Sequence, residues 1–170
     1  MRGHLGLGSN LGDRRAALQD AVDLLAARGV RATASSSVYA TPPWGAVADQ
    51  PDFLNACIAI ETDLVPGAVL TACKAVERAL GRPRPHEPGY VHHGPRPVDV
   101  DVLLLGDVEL RSRRLTVPHP AITRRRFVLV PLLELDLALA LPDGTALADA
   151  LARLPLEEDV RRAGPPLRVR

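Results

Sequence analysis

Two aspartates two residues apart, Asp99 and Asp101, stand in the run Val98-Asp99-Val100-Asp101-Val102-Leu103-Leu104-Leu105. Alternating β-branched residues and carboxylates that give way to an apolar stretch predict a strand running into a core. Side chains alternate faces along a strand, so both carboxylates point one way and Val98, Val100 and Val102 the other. Their Cα atoms then lie about 6.5 Å apart, and two like charges that close on a half-buried face call for a cation between them. Oxygen donors alone favour a hard ion such as Mg²⁺ over zinc. Two solvated aspartates on an exposed sheet face fit the octet equally well. The approach to the strand tips the balance toward chemistry, because Arg82, Arg84 and Arg96 lie in a Pro/Gly-rich loop leading into it.

The chain that must position these groups has 170 residues, 46% of them apolar and 24% charged, which fits one globular domain with a substantial core. A net charge of +1 argues against a general nucleic-acid binder. Of 21 basic residues only Lys74 is a lysine, so a Walker-type phosphate lysine or a Schiff base is excluded unless Lys74 itself serves. Cys57 and Cys73 have no metal or redox spacing and read as buried free thiols of a reducing compartment. No signal-peptide pattern and no apolar run of 18 residues occur, so a cytoplasmic protein without a membrane partner is expected.

In chain order, His4 to Leu7 reads as a strand. Asn10 is placed to cap a helix over 11–28 that ends at Gly29. Val30 to Tyr39 reads as one strand and Phe53 to Thr62 as another, the latter with Phe53, Asn55 and Cys57 on one face and Leu54, Ala56, Ile58 and Ile60 on the other. Pro66 opens a helix whose apolar face holds Val69, Leu70, Cys73, Val76 and Leu80, with Glu77 beside that face. Residues 82–97, rich in proline and glycine, predict a long irregular loop that could serve as a lid. Short strands are expected over 108–110 and 139–141, and helices over 124–135 and 145–154. Strand, helix, strand, strand, helix, strand over residues 4–105 is the βαββαβ order of a ferredoxin-like α+β domain with an antiparallel sheet, extended by C-terminal helices. Residues 1–154 form the expected single domain and 155–170 a loosely ordered tail.

Five segments then carry a family resemblance: Gly8-Ser9-Asn10-Leu11-Gly12, Tyr39-Ala40-Thr41-Pro42-Pro43-Trp44-Gly45, Asp49-Gln50-Pro51-Asp52-Phe53-Leu54-Asn55, Gly94-Pro95-Arg96-Pro97-Val98-Asp99-Val100-Asp101 and Leu115-Thr116-Val117-Pro118-His119. In this order, across residues 4–144, they resemble the 6-hydroxymethyl-7,8-dihydropterin pyrophosphokinases of folate biosynthesis. The resemblance implies transfer of pyrophosphate from ATP to the pterin hydroxymethyl group, release of AMP, and two Mg²⁺ ions. It implies Asp99 and Asp101 as metal ligands, with Arg82 and Arg96 acting on the phosphates during transfer. The ATP side would be lined by Leu70, Glu77, Arg82, Val102, Arg114, Thr116, His119 and Arg125. The pterin ring would sit between Phe53 and Phe127, its polar edge read by Asn55 and by the Thr41, Pro42 and Trp44 turn. Its partners would be small molecules, with no nucleic acid and no membrane, and a monomer suffices for this chemistry.

The residues agree with that chemistry on their own. Phosphoryl-type transfer depends on positioning and charge neutralisation more than on a strong base, so no general base is assigned. Phe53 and Asn55 share a strand face, which suits a flat heterocycle with a dense hydrogen-bonding edge. Phe53 alone reads as core, Glu77 equally well as a helix-surface carboxylate, and the arginine runs at 111–114 and 124–126 as solvated surface from which Arg114 and Arg125 are promoted. Adjacent His92 and His93 face apart on an extended chain and make a poor metal pair. The chain departs from the family pattern at His93, where tryptophan is usual, at Pro97, where threonine is usual, at Pro120, and in a longer loop before Gly94. These changes bear on closure of the loop and leave the metal and pterin positions intact. A polymerase-β-type nucleotidyltransferase would keep Gly-Ser and the paired aspartates about a dozen residues apart, whereas here they are about 90 apart. A ferredoxin-like RNA-binding module would need more than 3% aromatics and a stacking motif. A Mg²⁺-dependent ATP titration separates the enzyme from either this module or a small-ligand module of that fold.

Overall fold

The structure, a computed structural model, describes residues 1–43, 50–91 and 94–169. Trp44, His92 and His93, with the expectations attached to them, lie outside the described residues. The first half of the chain runs β1 (Arg2–Ser9), α1 (Arg14–Ala26), β2 (Val30–Ser35), β3 (Val38–Thr41), β4 (Phe53–Thr62), α2 (Pro66–Ala79) and β5 (Asp99–Leu105). After it come the small hairpin β6 (Leu110–Arg111) and β7 (Thr116–Val117), a 3₁₀ turn at Ile122–Arg124, α3 (Arg126–Leu135), α4 (Leu147–Ala152) and β8 (Arg161–Gly164). The main sheet has the order β5-β1-β4-β3-β8, with β2 also paired to β4, and its pairings are antiparallel.

β4 is central, and both of its faces are covered. Ala56, Ile58 and Ile60 join Leu18, Val22, Val69 and Val76 in the layer under α1 and α2. On the opposite face Cys57 and Leu103 join Leu129, Leu132 and Leu147 under α3 and α4. Each fully buried aliphatic side chain contributes roughly 1.5–3 kcal/mol, so these two layers fix the frame on which β1, β4 and β5 lie side by side. No described helix is long and apolar enough to cross a membrane.

Four local expectations change. Asp13, not Asn10, caps α1, its side chain accepting from the Ala16 backbone N–H at 3.0 Å. The strand expected over 30–39 breaks at Ser36 and Ser37, where hydroxyls compete with the ladder. Ser36 Oγ accepts from the Cys57 backbone N–H at 2.9 Å, and Ser37 donates from both its backbone N–H and its hydroxyl to Glu134 on α3. The strand expected at 139–141 reduces to a single bridge, Ala140 to Ala146. Beyond α4 the chain turns back: β8 adds a strand against β3, and Leu167 is buried in the main core, so the segment read as a loose tail is packed. A tetrapeptide of two arginines, alanine and glycine, followed by two prolines, carries no strand signal of its own. Its pairing comes from the unpaired edge that β3 offers.

Candidate active site

The floor of the site is written in the strand register. β1 lies between β4 and β5, with Gly8 opposite both Asn55 and Asp99, and Gly6 opposite both Cys57 and Asp101. Cross-strand partners share a face, so two rows, Asn55-Gly8-Asp99 and Cys57-Gly6-Asp101, cross the sheet with no side chain in the middle. The result is a trench about 10 Å wide between its outer Cα rows, from two strand spacings of roughly 4.8 Å. A methyl group on Gly8 would stand 3.1 Å from Asn55 Oδ1, so the trench closes if that glycine gains a side chain. The alternating Gly6-Leu7-Gly8 pattern was the available sequence signal for this feature, and the motif reading used only Gly8.

Thr41, Pro42 and Phe53 border the trench on one side, with Phe127 and Val128 of α3 and Arg125 on another. Asn55 is held by its amide donating to Thr41 Oγ1 at 2.7 Å, which turns its carbonyl oxygen toward Gly8. Both aromatic rings carry a cation: Arg96 stands 4.9 Å over the Phe53 centroid and Arg125 5.6 Å over that of Phe127.

Two further clefts adjoin this one. Arg82, Tyr90, Arg96, His119 and Arg125 surround the second, together with Asp99 and Asp101. Leu70, Lys74, Val102, Arg114, Thr116 and His119 line the third, again with Asp101. Asp101 is thus common to all three clefts. Among the described residues Asp101 forms no ion pair, whereas Asp99 is paired with both Arg82 and Arg96. Burial opposes the charge on Arg82, but Asp99 and Glu77 outweigh it and raise its pKa further. His119 is shifted down by burial, and its Nδ1 accepts from the Ala121 backbone N–H at 3.1 Å. The ring is therefore neutral with its proton on Nε2, a donor available to an anionic ligand.

Of the residues expected in the site, Glu77 is not a helix-surface carboxylate. It is 4% exposed, behind β5, where it accepts from the Val100 backbone N–H at 2.9 Å and pairs with Arg82 at 2.8 Å and Lys74 at 2.8 Å. Val100 lies between the two aspartates, so Glu77 fixes the strand segment that presents them. Asn10, expected as a helix cap, is fully buried and joins two loops. Its Oδ1 accepts from the Arg96 backbone N–H at 2.9 Å, and its Nδ2 donates to Gln50 Oε1 at 3.0 Å. It thereby positions the segment that carries Arg96.

The family model described as 7,8-dihydro-6-hydroxymethylpterin-pyrophosphokinase matches residues 4–137. A 2-amino-4-hydroxy-6-hydroxymethyldihydropteridine pyrophosphokinase of Methylorubrum extorquens is 46% identical over 156 residues, 90% of this chain and 93% of the relative. An enzyme of the same name from Pseudomonas aeruginosa is 40% identical over 164 residues, 96% of this chain and 98% of the relative. Among solved structures, a Plasmodium falciparum HPPK-DHPS with pteroate superimposes with a TM-score of 0.66 at 13% identity, covering 89% of this chain and 42% of that one, which establishes a shared fold. A family model spanning the whole site and two near-full-length relatives leave one conclusion: the chain belongs to the 7,8-dihydro-6-hydroxymethylpterin-pyrophosphokinase family.

Proposed function

We propose that the protein transfers the terminal diphosphate of ATP to the hydroxymethyl group of 6-hydroxymethyl-7,8-dihydropterin, releasing AMP, a step of folate biosynthesis. The observation that carries the reading is the position of Asp101 at the junction of three clefts, one apolar and aromatic, one lined by arginines, one beside the β7 loop. These suit a pterin, a polyphosphate and a nucleoside in turn. The pterin ring takes the trench between Phe53 and Phe127, with Asn55, Thr41 and Pro42 reading its edge. The nucleoside takes the cleft of Leu70, Val102, Arg114 and Thr116. Arg82, Arg96, Arg125 and the Nε2–H of His119 hold the phosphates between them.

The donor set fits Mg²⁺, which keeps several waters and is held by one or two carboxylates together with substrate phosphates. Asp101, without an ion pair among the described residues and shared by the clefts, and Asp99 would hold two such ions, which would supply Lewis-acid neutralisation of the polyphosphate when bound. Among the described residues no group of three His, Cys, Asp or Glu side chains could hold a metal without a substrate's help. Asp99 must release Arg82 and Arg96 to do so, and those arginines then become free to meet phosphate oxygens. Glu77 keeps the carboxylate-bearing strand and Arg82 in place from behind. The antiparallel order β5-β1-β4 followed by β2 and β3 supports a ferredoxin-like reading of the core. Near-neutral charge and two buried free thiols support a cytoplasmic enzyme that acts on small molecules, without nucleic-acid or membrane partners.

The test is the product. Incubation with ATP, Mg²⁺ and the hydroxymethyl dihydropterin, followed by chromatography, is expected to give AMP one-for-one with a pterin diphosphate. ADP with a pterin monophosphate overturns the reading. For the pterin side, Asn55→Ala removes the edge-reading amide and its bond to Thr41. Pterin binding measured by calorimetry is expected to weaken by about 1–3 kcal/mol, and unaltered affinity removes Asn55 from the site.

A further inference from the structure

The three elements that bear the pterin-side walls share one anchor, the C-terminal segment at residues 158–168, which lies beyond the stretch matched by the family model. The first anchor point is α3. Its N-cap residue, Arg125, makes no side-chain capping bond, and Pro131 inside the helix has no N–H to bond the Phe127 carbonyl. The first turn, which carries Phe127 and Val128 into the trench, is thus weakly tied from within. Glu158 supplies the missing cap from across the chain: its carboxylate accepts from the Arg126 backbone N–H at 2.9 Å, where a negative charge also suits the helix dipole. The second point is the start of β4. Arg161 donates to Asp52 Oδ2 at 3.1 Å, one residue before Phe53, while Arg14 donates to the Asp52 carbonyl at 2.7 Å. The third is β3, which pairs with β8 up to Ala40 opposite Arg161, one residue before Thr41. The segment itself is fixed by Leu167 in the core and by the paired bonds between Gln19 and the Arg168 backbone at 3.0 and 2.9 Å.

We propose that Glu158 and Arg161 are positioning residues for the pterin trench: together with β8 they hold the segments bearing Phe127, Phe53 and Thr41 at their working separation. The inference rests on the reading that this trench takes the pterin. None of its contacts reaches the cleft of Leu70, Val102 and Thr116, and of the phosphate-side residues only Arg125 adjoins it, so the effect of losing them falls chiefly on the pterin.

The test is steady-state kinetics of Glu158→Ala, Arg161→Ala and the double variant. All keep Leu167 and the backbone pairing of β8, so the fold is retained. Loss of the cap is expected to raise the pterin KM about fivefold and loss of the exposed Arg161 pair about twofold. The double variant should reach about tenfold, with the ATP KM within about twofold of the parent and kcat within about threefold. Glu158→Gln, which keeps an accepting oxygen, should restore most of the pterin KM. An unchanged pterin KM in the double variant overturns the proposal, as does a parallel rise in both KM values, which would mark a general loss of structure. Asn55→Ala is the control. If it raises the pterin KM and the double variant does not, the anchor alone is wrong; if neither does, the pterin assignment of the trench falls with it.

Discussion

Asp101→Asn is expected to lower kcat by at least about a thousandfold, on the order of 4 kcal/mol in the barrier, because one charged ligand of the polyphosphate's counter-ions is lost while shape is kept. Asp99→Asn should fall as far, yet the two variants should differ in stability. Relief of carboxylate repulsion favours both variants slightly, and for Asp101 nothing offsets it, since it forms no ion pair among the described residues. Asp99, by contrast, neutralises Arg82 and Arg96, all three being only 17–26% exposed. Its neutralisation takes the ion-pair partner from Arg96 and leaves Arg82 with Glu77 alone, at a cost of about 1–2 kcal/mol, between the values for exposed and buried pairs. Thermal unfolding and steady-state turnover measured on both variants check this. Near-normal turnover in either one at ordinary Mg²⁺ concentration sinks the metal assignment. Equal stability of the two would mean that the Asp99 arginine pairs contribute nothing to the folded state.

The same contrast shows what was legible in the chain and what was not. β4 has the bounds expected from its apolar alternation, because a strand covered on both faces needs little beyond β-propensity to be recognised. The aspartate strand was legible for the complementary reason: its carboxylates alternate with buried valines, and the valines are all buried. Long-range partnership was not legible. Asn10 reads locally as a cap, because capping is the commonest use of an asparagine before a helix. Its actual partners, Arg96 and Gln50, lie 86 and 40 residues away. Glu77 sits at the edge of a helical face, and only the return of β5 behind it brings the Val100 N–H that buries it. The break at Ser36-Ser37 depends on Cys57 and Glu134 in the same way. Residues whose roles are set by nearby spacing could be read, and those whose roles are set by register between distant strands could not. The trench of Gly6 and Gly8 joins the two groups: its glycines are visible in the sequence, and its meaning appears only when Asn55 and Asp99 arrive on either side.

Arg96→Ala is expected to separate binding from turnover more cleanly than any other substitution in the site. The side chain now does three things at once: Nε pairs with Asp99, Nη1 donates to the Gly94 carbonyl at 2.9 Å, and the guanidinium lies 4.9 Å over the Phe53 ring. If the pterin stacks on Phe53 as proposed, the last contact occupies surface that it needs, and its binding displaces the cation, giving up about 0.5–2 kcal/mol of cation–π attraction. Displacement sends a charged fork toward the phosphates, where charge builds up during transfer. Removing the side chain therefore exposes Phe53 and takes away a phosphate partner in the same step. Pterin affinity, read by calorimetry without nucleotide, should stay equal or tighten, while kcat falls by about 10²–10³-fold, as for loss of one preorganised donor at a transition state. Arg96→Lys should recover little, because a single ammonium cannot keep the planar, two-sided contact that lets the guanidinium pass from ring and carboxylate to phosphate. A tenfold weakening of pterin binding with kcat intact would instead make Arg96 part of the pterin wall, and the phosphate role would pass to Arg82 and Arg125.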